Sequence, residues 1–350
     1  MSKINPYAML LYFLPYILVA LTIIGWWLGG YWTFITPVFV YGVINLSDHI
    51  FPQHPTISGV SQSKLERQEG PLSLYSFPPI LWSFTQLCFI GWCIWVVTFG
   101  NLSTLEIIGV VLSVGVMAGA IGITFSHELI HRKHLWERLA GEIMLLSVTY
   151  HHWSVEHVYG HHRTVGTPDD PATARLGESF YAFMPRTVFG GLISSIKLES
   201  SRLRRRKRKA FSFYNRVISG LAIEIASYLI ISFSLGWEAA LTWFAVSFIA
   251  IFQLEVVNYF EHYGLCRREI TPGRFEPVSA KHSWDDGHRI SGYFLANLQR
   301  HSDHHLRPGV RYDSLKLVNG APRLPAGYAS MLLMALIPPL WFSVMNPRIK

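Results

Sequence analysis

Apolar runs long enough to cross a bilayer recur along this chain, and its Lys- and Arg-rich loops all fall on one side of them. A spanning helix needs about 20 predominantly apolar residues, and such stretches lie near 9–27, 31–47, 79–99, 105–126, 215–235 and 239–260. They pair into three hairpins whose turns, Leu28–Gly30, Gly100–Thr104 and Gly236–Glu238, contain no Lys or Arg. Of the 30 Lys and Arg, all but Arg216 at a helix edge lie at the N-terminus, in 48–78, in 127–214 or after 260. The positive-inside bias makes that side cytoplasmic, and an even number of crossings places both termini there. The expected fold is an all-α integral membrane protein of six transmembrane helices, with a cytoplasmic histidine-rich catalytic region in 127–214 and 261–327. The chain 1–350 reads as a single domain.

Two further apolar segments, 139–150 and 328–345, are respectively too short to span and broken by Pro338 and Pro339; both are expected to be packed or interfacial. Only 15% of the residues are charged, against about 25% in soluble domains. That excludes a disordered chain. Three scattered cysteines, Cys88, Cys93 and Cys266, leave no disulfide scaffold and no Cys-based metal site. No cleavable signal peptide is expected, because the first apolar run is long and lacks a small-residue cleavage site.

All sixteen histidines lie on the basic side. His127 and His131 flank the string HELIH, and residues four apart on a helix differ by about 40° around the axis, so both rings share a face. This is the HExxH pattern of zinc proteases, with Glu128 as nominal base, and taken alone it allows an intramembrane zinc protease. The second cluster, His157, His161 and His162, reads HxxxHH, with His151 and His152 upstream. On a regular helix His161 shares a face with His157 while His162 points about 140° away, and such a doublet can serve two metals. The third cluster is His301, His304 and His305, spaced HxxHH. A lone histidine at a membrane boundary is more often a hydrogen-bonding residue than a ligand, but eight in three clusters on one side are hard to ascribe to coincidence. Imidazoles suit iron, zinc, copper or nickel. Eight exceed the four or so that one zinc takes, so the count points to two metals and to oxygen chemistry rather than hydrolysis.

This pattern resembles the eight-histidine signature of integral-membrane di-iron desaturases and hydroxylases. Longer strings are similar to the membrane alkane hydroxylase (alkane 1-monooxygenase) family: YWTFITPVFVYGVINLSD (31–48), SHELIHR (126–132), VEHVYGHHRTVGTPDDPATARLGESFY (155–181), NYFEHYGL (258–265), LQRHSDHHLRP (298–308) and LPAGYASMLLMALIPPLW (324–341). Carried over residue by residue, the resemblance makes His127, His131, His157, His161, His162, His262, His301, His304 and His305 the ligands of two iron ions, with O2 as co-substrate and no catalytic group beyond the ligands. His262, from the EHYG string, is the one that spacing does not find. His134, His151, His152, His282 and His288 lie near the clusters without matching a ligand position and are candidates to contact the ligands or to serve the structure, and His49 and His54 stand behind them. The carboxylates Glu128, Asp169, Asp170, Glu261 and Asp303 are candidates to accept the outer N–H of a metal-bound imidazole. Glu255 and Asn258 are polar groups inside the last span on the face of His262, and intramembrane polar groups are functional candidates. Val158-Tyr159 and the string SWDDGHRISG (283–292) depart from what the family leads one to expect, without removing a ligand.

The activity the resemblance implies is terminal hydroxylation of medium- to long-chain n-alkanes to 1-alcohols in a bacterial inner membrane. A hydrocarbon has no polar handle, so recognition falls to an apolar channel, for which Trp26, Trp27 and Tyr41 are candidates. No nucleotide fingerprint or Cys quartet is present to supply electrons, and the resemblance implies rubredoxin fed by an NAD(P)H-dependent reductase. Arg202, Arg204, Arg205 and Arg206 of the run RLRRRKRK, with Arg267 and Arg268, are candidates to dock such an acidic carrier. Membrane lipid headgroups are the competing partner for that run, and nucleic acid is not expected. Hydroxylation of alkylarene methyl groups, as in xylene monooxygenases, and desaturation of fatty acyl chains remain open alternatives.

Overall fold

The computed structural model describes residues 9–51, 53 and 74–349; His54 lies outside them. The described chain is helical almost throughout, its only strands being the short antiparallel pair Glu269–Thr271 and Arg274–Phe275. Five helices are long and apolar enough to cross a membrane: Leu11–Leu28, Leu74–Phe99, Thr104–Ile130, Arg216–Leu235 and Trp237–His262. The remaining expected span, 31–47, is helical but of changing pitch, running through a 3-10 turn Gly30–Phe34, an α-turn Ile35–Val38, a π-turn Phe39–Ile44 and an α-turn Asn45–Ile50. Thr33, Thr36, Asn45 and Asp48 lower its apolarity. It folds back on the first helix through a Thr22–Thr36 hydroxyl pair at 2.8 Å.

One carboxylate ties the two N-terminal hairpin turns together. Glu106 closes a capping box with Ser103 at the start of Thr104–Ile130 and also accepts the Gly30 N–H at 2.8 Å. The neighbouring Gly29 has φ +70°, a left-handed conformation that suits glycine. Close packing then sorts the helices by depth. Over the most apolar 18 residues of each helix, 78% are buried in Thr104–Ile130, which forms the centre, half in Trp237–His262 beside it, and 17% in Arg216–Leu235, which lies outermost. The two innermost helices are the ones that end in histidines.

The two short apolar segments pack on this frame. The Leu135–Ser147 helix lies against the end of the central helix, where Ser126 Oγ donates to Gly141 O at 2.8 Å. Segment 328–345 splits into Tyr328–Ala335 and Pro338–Met345, with Met331, Ala335, Trp341 and Met345 buried against Tyr259, Phe260 and Tyr263.

Candidate metal centre

His127 lies in the last turn of the central helix and His131 is its C-cap. His262 ends Trp237–His262, and His301, His304 and His305 occupy the short helix His301–Leu306. The HxxxHH string lies where an α-turn, Trp153–Glu156, passes into a π-turn, His157–His161, and back into an α-turn at His162. The wider π-turn aligns residues five apart. His157 Nε2 therefore meets His162 Nε2 at 3.1 Å, while the His161 ring stacks beside that of His157 with centroids 5.3 Å apart. His157 and His161 are neighbours, as a shared face leads one to expect, but they enter different groups; the doublet His161-His162 serves both, and His157 goes with His162.

Two clusters result: His127, His131, His157, His162 and His304, and His161, His262, His301 and His305. Within each, one ring nitrogen per residue lies within 4.8 Å of all the others. No further group of three or more His, Cys, Asp or Glu residues is so arranged among the described residues. His134, His151, His152, His282 and His288 stand apart from both.

The ring nitrogens suit a cation. Nε2 of His127, His131 and His161 are buried without a hydrogen-bond partner. Nε2–Nε2 pairs face one another at 3.1 Å for His262 and His301, 3.0 Å for His304 and His162 and 3.0 Å for His305 and His301. Ligands held ~2.0–2.1 Å from one ion and at right angles stand about 3 Å apart. Burial and mutual repulsion hold His131, His157, His162, His301, His304 and His305 well below the usual imidazole range, in the neutral form that binds metals. At His161 burial also lowers the value, but the Asp170 carboxylate beside it more than offsets this and raises it.

Outer contacts fix which nitrogen faces inward. His161 Nδ1–H donates to Asp170 Oδ2 at 2.9 Å, and His262 Nδ1–H to the His282 carbonyl at 3.1 Å. Such contacts set the tautomer of a ligating imidazole. Glu261 stands with Oε2 3.4 Å from His301 Nε2, while its Oε1 accepts the Tyr328 hydroxyl at 2.7 Å. The other candidate carboxylates do different work. Glu128 pairs with Arg132 at 2.8 Å, and Arg132 donates onward to Gly309 O and Val310 O, so this carboxylate braces a loop. Asp303 binds Arg307 and the Lys316 N–H, and Asp169 is exposed on its turn. Glu255 accepts from Tyr150 at 2.7 Å and from Asn258 at 3.2 Å, with no hydrogen bond to a cluster ring.

An apolar cavity of about 910 Å³, counted to its open mouth, reaches the clusters at His127, His157 and His301 beside Glu261. Its walls include Tyr41, Ile123, Val257, Leu298 and Leu332, and among the described residues no Lys or Arg lines it. Trp26 packs on Trp92 and Trp27 is 77% exposed, so of the three channel candidates only Tyr41 lines it. Trp153, which the sequence reading passed over, stacks on His157 with ring centroids 4.3 Å apart and lines the cavity. Its place four residues before His157, one helical turn away, was the available signal.

His131 and His162, both in the five-histidine cluster, are half-buried, and the other seven are buried. Arg267 lies close by, its N–H donating to Gly166 O at 2.7 Å and its guanidinium to Arg163 O at 3.0 Å, with Arg268 exposed next to it. Arg204, Arg205 and Arg206 are exposed at the end of the Phe180–Arg205 helix, whereas Arg202 is engaged by Glu199 at 2.7 Å.

Residues 103–333 match the fatty acid desaturase family. Alkane 1-monooxygenase 2 of Pseudomonas aeruginosa is 38% identical over 341 residues, covering 93% of this chain and 87% of its own. Alkane 1-monooxygenase 2 of Alcanivorax borkumensis is 36% identical, over 91% of this chain and 83% of its own. The hydroxylase component of a Pseudomonas putida xylene/toluene monooxygenase is more distant, 27% identical over 97% of this chain and 88% of its own.

Proposed function

The chain belongs to the alkane 1-monooxygenases of the fatty acid desaturase family, and from that premise we propose that it hydroxylates the terminal methyl group of medium- to long-chain n-alkanes with O2. Two iron ions are held by His127, His131, His157, His162 and His304 and by His161, His262, His301 and His305. The observation that carries this reading is the convergence of these nine rings into two clusters at the inner end of an apolar cavity. When bound, iron supplies O2 activation and the oxidation of an unactivated C–H bond.

The chain's own residues bind, orient and exclude water. The cavity takes up a hydrocarbon because each buried methylene is worth about 0.8 kcal/mol, and it presents the chain's end at His127, His157 and His301. Asp170 and the His282 carbonyl hold His161 and His262 with Nε2 inward. Glu261, fixed by Tyr328, keeps a carboxylate oxygen beside His301. The absence of Lys and Arg from the lining favours a hydrocarbon over an acyl chain with a charged head. The xylene/toluene relative makes alkylarenes the second substrate class to test.

Electrons come from a rubredoxin reduced by an NAD(P)H-dependent reductase, and the half-buried edges of His131 and His162 are where they enter. Arg267 and Arg268 flank that edge, and the Arg204–Arg206 patch adds a field that steers an acidic carrier. The segregation of Lys and Arg supports a cytoplasmic position for this face, in a bacterial inner membrane. The experiment is O2-dependent product analysis of membranes containing the protein, supplied with reduced rubredoxin and n-alkanes from hexane to octadecane, xylenes and fatty acyl substrates. Primary alcohols from the alkanes are expected. Alkenes without alcohols, or products from xylenes alone, would move the assignment.

A further inference from the structure

At the cavity's end remote from the histidines the lining residues Tyr41 and Gln253 bring polar side chains together. Along Trp237–His262 the lining residues run back from Glu261 to Gln253, and along Thr104–Ile130 from His127 to Gly119. Gln253 lies nine residues before His262, roughly 13 Å away by helix rise. Gln253 and Gly119 are in contact there, since a Cβ on Gly119 would stand 2.4 Å from Gln253 Nε2 and 2.9 Å from the Ala250 backbone. The amide is anchored at both ends. Its Nε2 donates to Gly115 O at 3.1 Å and Ile249 O at 3.2 Å, and its Oε1 accepts the Tyr41 hydroxyl at 2.7 Å. Tyr41 comes from a different wall, the π-turn Phe39–Ile44, and Gly119 sits in a second π-turn, Met117–Ile123. Single π-turns of this kind concentrate at functional sites.

We propose that the Tyr41–Gln253 hydrogen bond, seated on Gly119, is the floor that sets how long a hydrocarbon chain the cavity accepts. With one end of the guest at His127 and His301, each added methylene gains apolar burial until the chain meets this bond. Further methylenes would have to displace an amide whose three hydrogen bonds are all made inside the protein, and leaving such groups unpaired is strongly disfavoured. The inference rests on the hydroxylase reading only for the identity of the guest. The floor itself is a property of the cavity.

The test uses substitutions of opposite sign and a readout that needs neither metal nor turnover. In purified protein, 1-bromoalkanes of graded length quench Trp153, which lines the cavity, and a Trp153→Phe variant supplies the blank. The quantity read is the chain length at which affinity stops rising. Tyr41→Ala should move it upward by several methylenes. Gly119→Ala, which drives the Gln253 amide toward the cavity, should move it downward by a few. Tyr41→Phe, which removes the hydrogen bond and keeps the ring, should raise it less than Tyr41→Ala; it keeps the test readable should Gly119→Ala fail to fold. An unchanged cutoff in Tyr41→Ala and Tyr41→Phe, with quenching intact, would overturn the floor. Shifted cutoffs without any alkane oxidation would uphold the floor while removing the hydroxylase reading.

Discussion

The two histidine clusters are built from one residue type and differ in what surrounds them. The five-histidine cluster reaches the surface through His131 and His162, next to Arg163 and Arg267. The four-histidine cluster is buried at every ring and braced from behind by Asp170 and the His282 carbonyl, with Glu261 beside His301 on the inner, Nε2 side. Identical imidazoles can thus be divided by their second layer of contacts, one set left open toward a surface partner and the other held by fixed partners in the interior. Both reach the cavity, through His127 and His157 on one side and His301 on the other, so the division does not separate substrate from either.

The largest expected effects come from breaking each cluster in turn. His301→Ala should lower bound iron from near two to near one per chain and abolish alcohol formation, and His162→Ala should do the same from the other cluster. Metal analysis of the purified variants reads this, and full activity in either would remove that histidine from the ligand set. Asp170→Asn is the next in size. Loss of an outer partner of this kind typically costs 10–100-fold in metal affinity or activity, and the loss should be confined to the four-histidine cluster when metal titration follows the two sites separately. At the five-histidine edge, Arg268→Ala should raise the donor concentration needed for half-maximal rate by a few-fold at low salt. Added salt should shrink the difference, since the Debye length falls from about 10 Å at 0.1 M to 3 Å at 1 M; Arg205→Ala should do less. The smallest effect on turnover is expected from Glu128→Gln, which frees Arg132 and lowers thermal stability while alcohol formation persists. A zinc protease would lose all activity with that carboxylate.

Much of the site is legible in the sequence, because ligation demands particular residue types at short spacings. The strings around 127–131, 157–162 and 301–305 announce themselves, and His262 becomes visible only through the EHYG resemblance. The partition of the nine rings is not legible: spacing is read on a regular helix, and nothing in HVYGHH signals the π-turn that pairs His157 with His162. The carboxylates show the same limit. Asp169 and Asp170 are equivalent as letters, yet one is exposed and the other buried against His161. Glu128 and Asp303 sit beside ligands in sequence but face Arg132 and Arg307. For the channel, Trp26 and Trp27 do not line the cavity; of the residues at its far end, Gly119 lies mid-span where composition carries no special mark, whereas Gln253 bears the same mark, a polar group inside the last span, that singled out Glu255 and Asn258. Hydropathy found the five apolar helices, and the sixth stretch, 31–47, is helical with a changing pitch and polar side chains that set it apart.

The central claim is that nine histidines hold two iron ions, and the iron content of the purified chain tests it most directly. The account predicts close to two irons per chain, falling to one in His301→Ala, because nine ligands exceed the four or so that a single zinc takes. One zinc with no iron, unchanged by that substitution, would contradict it.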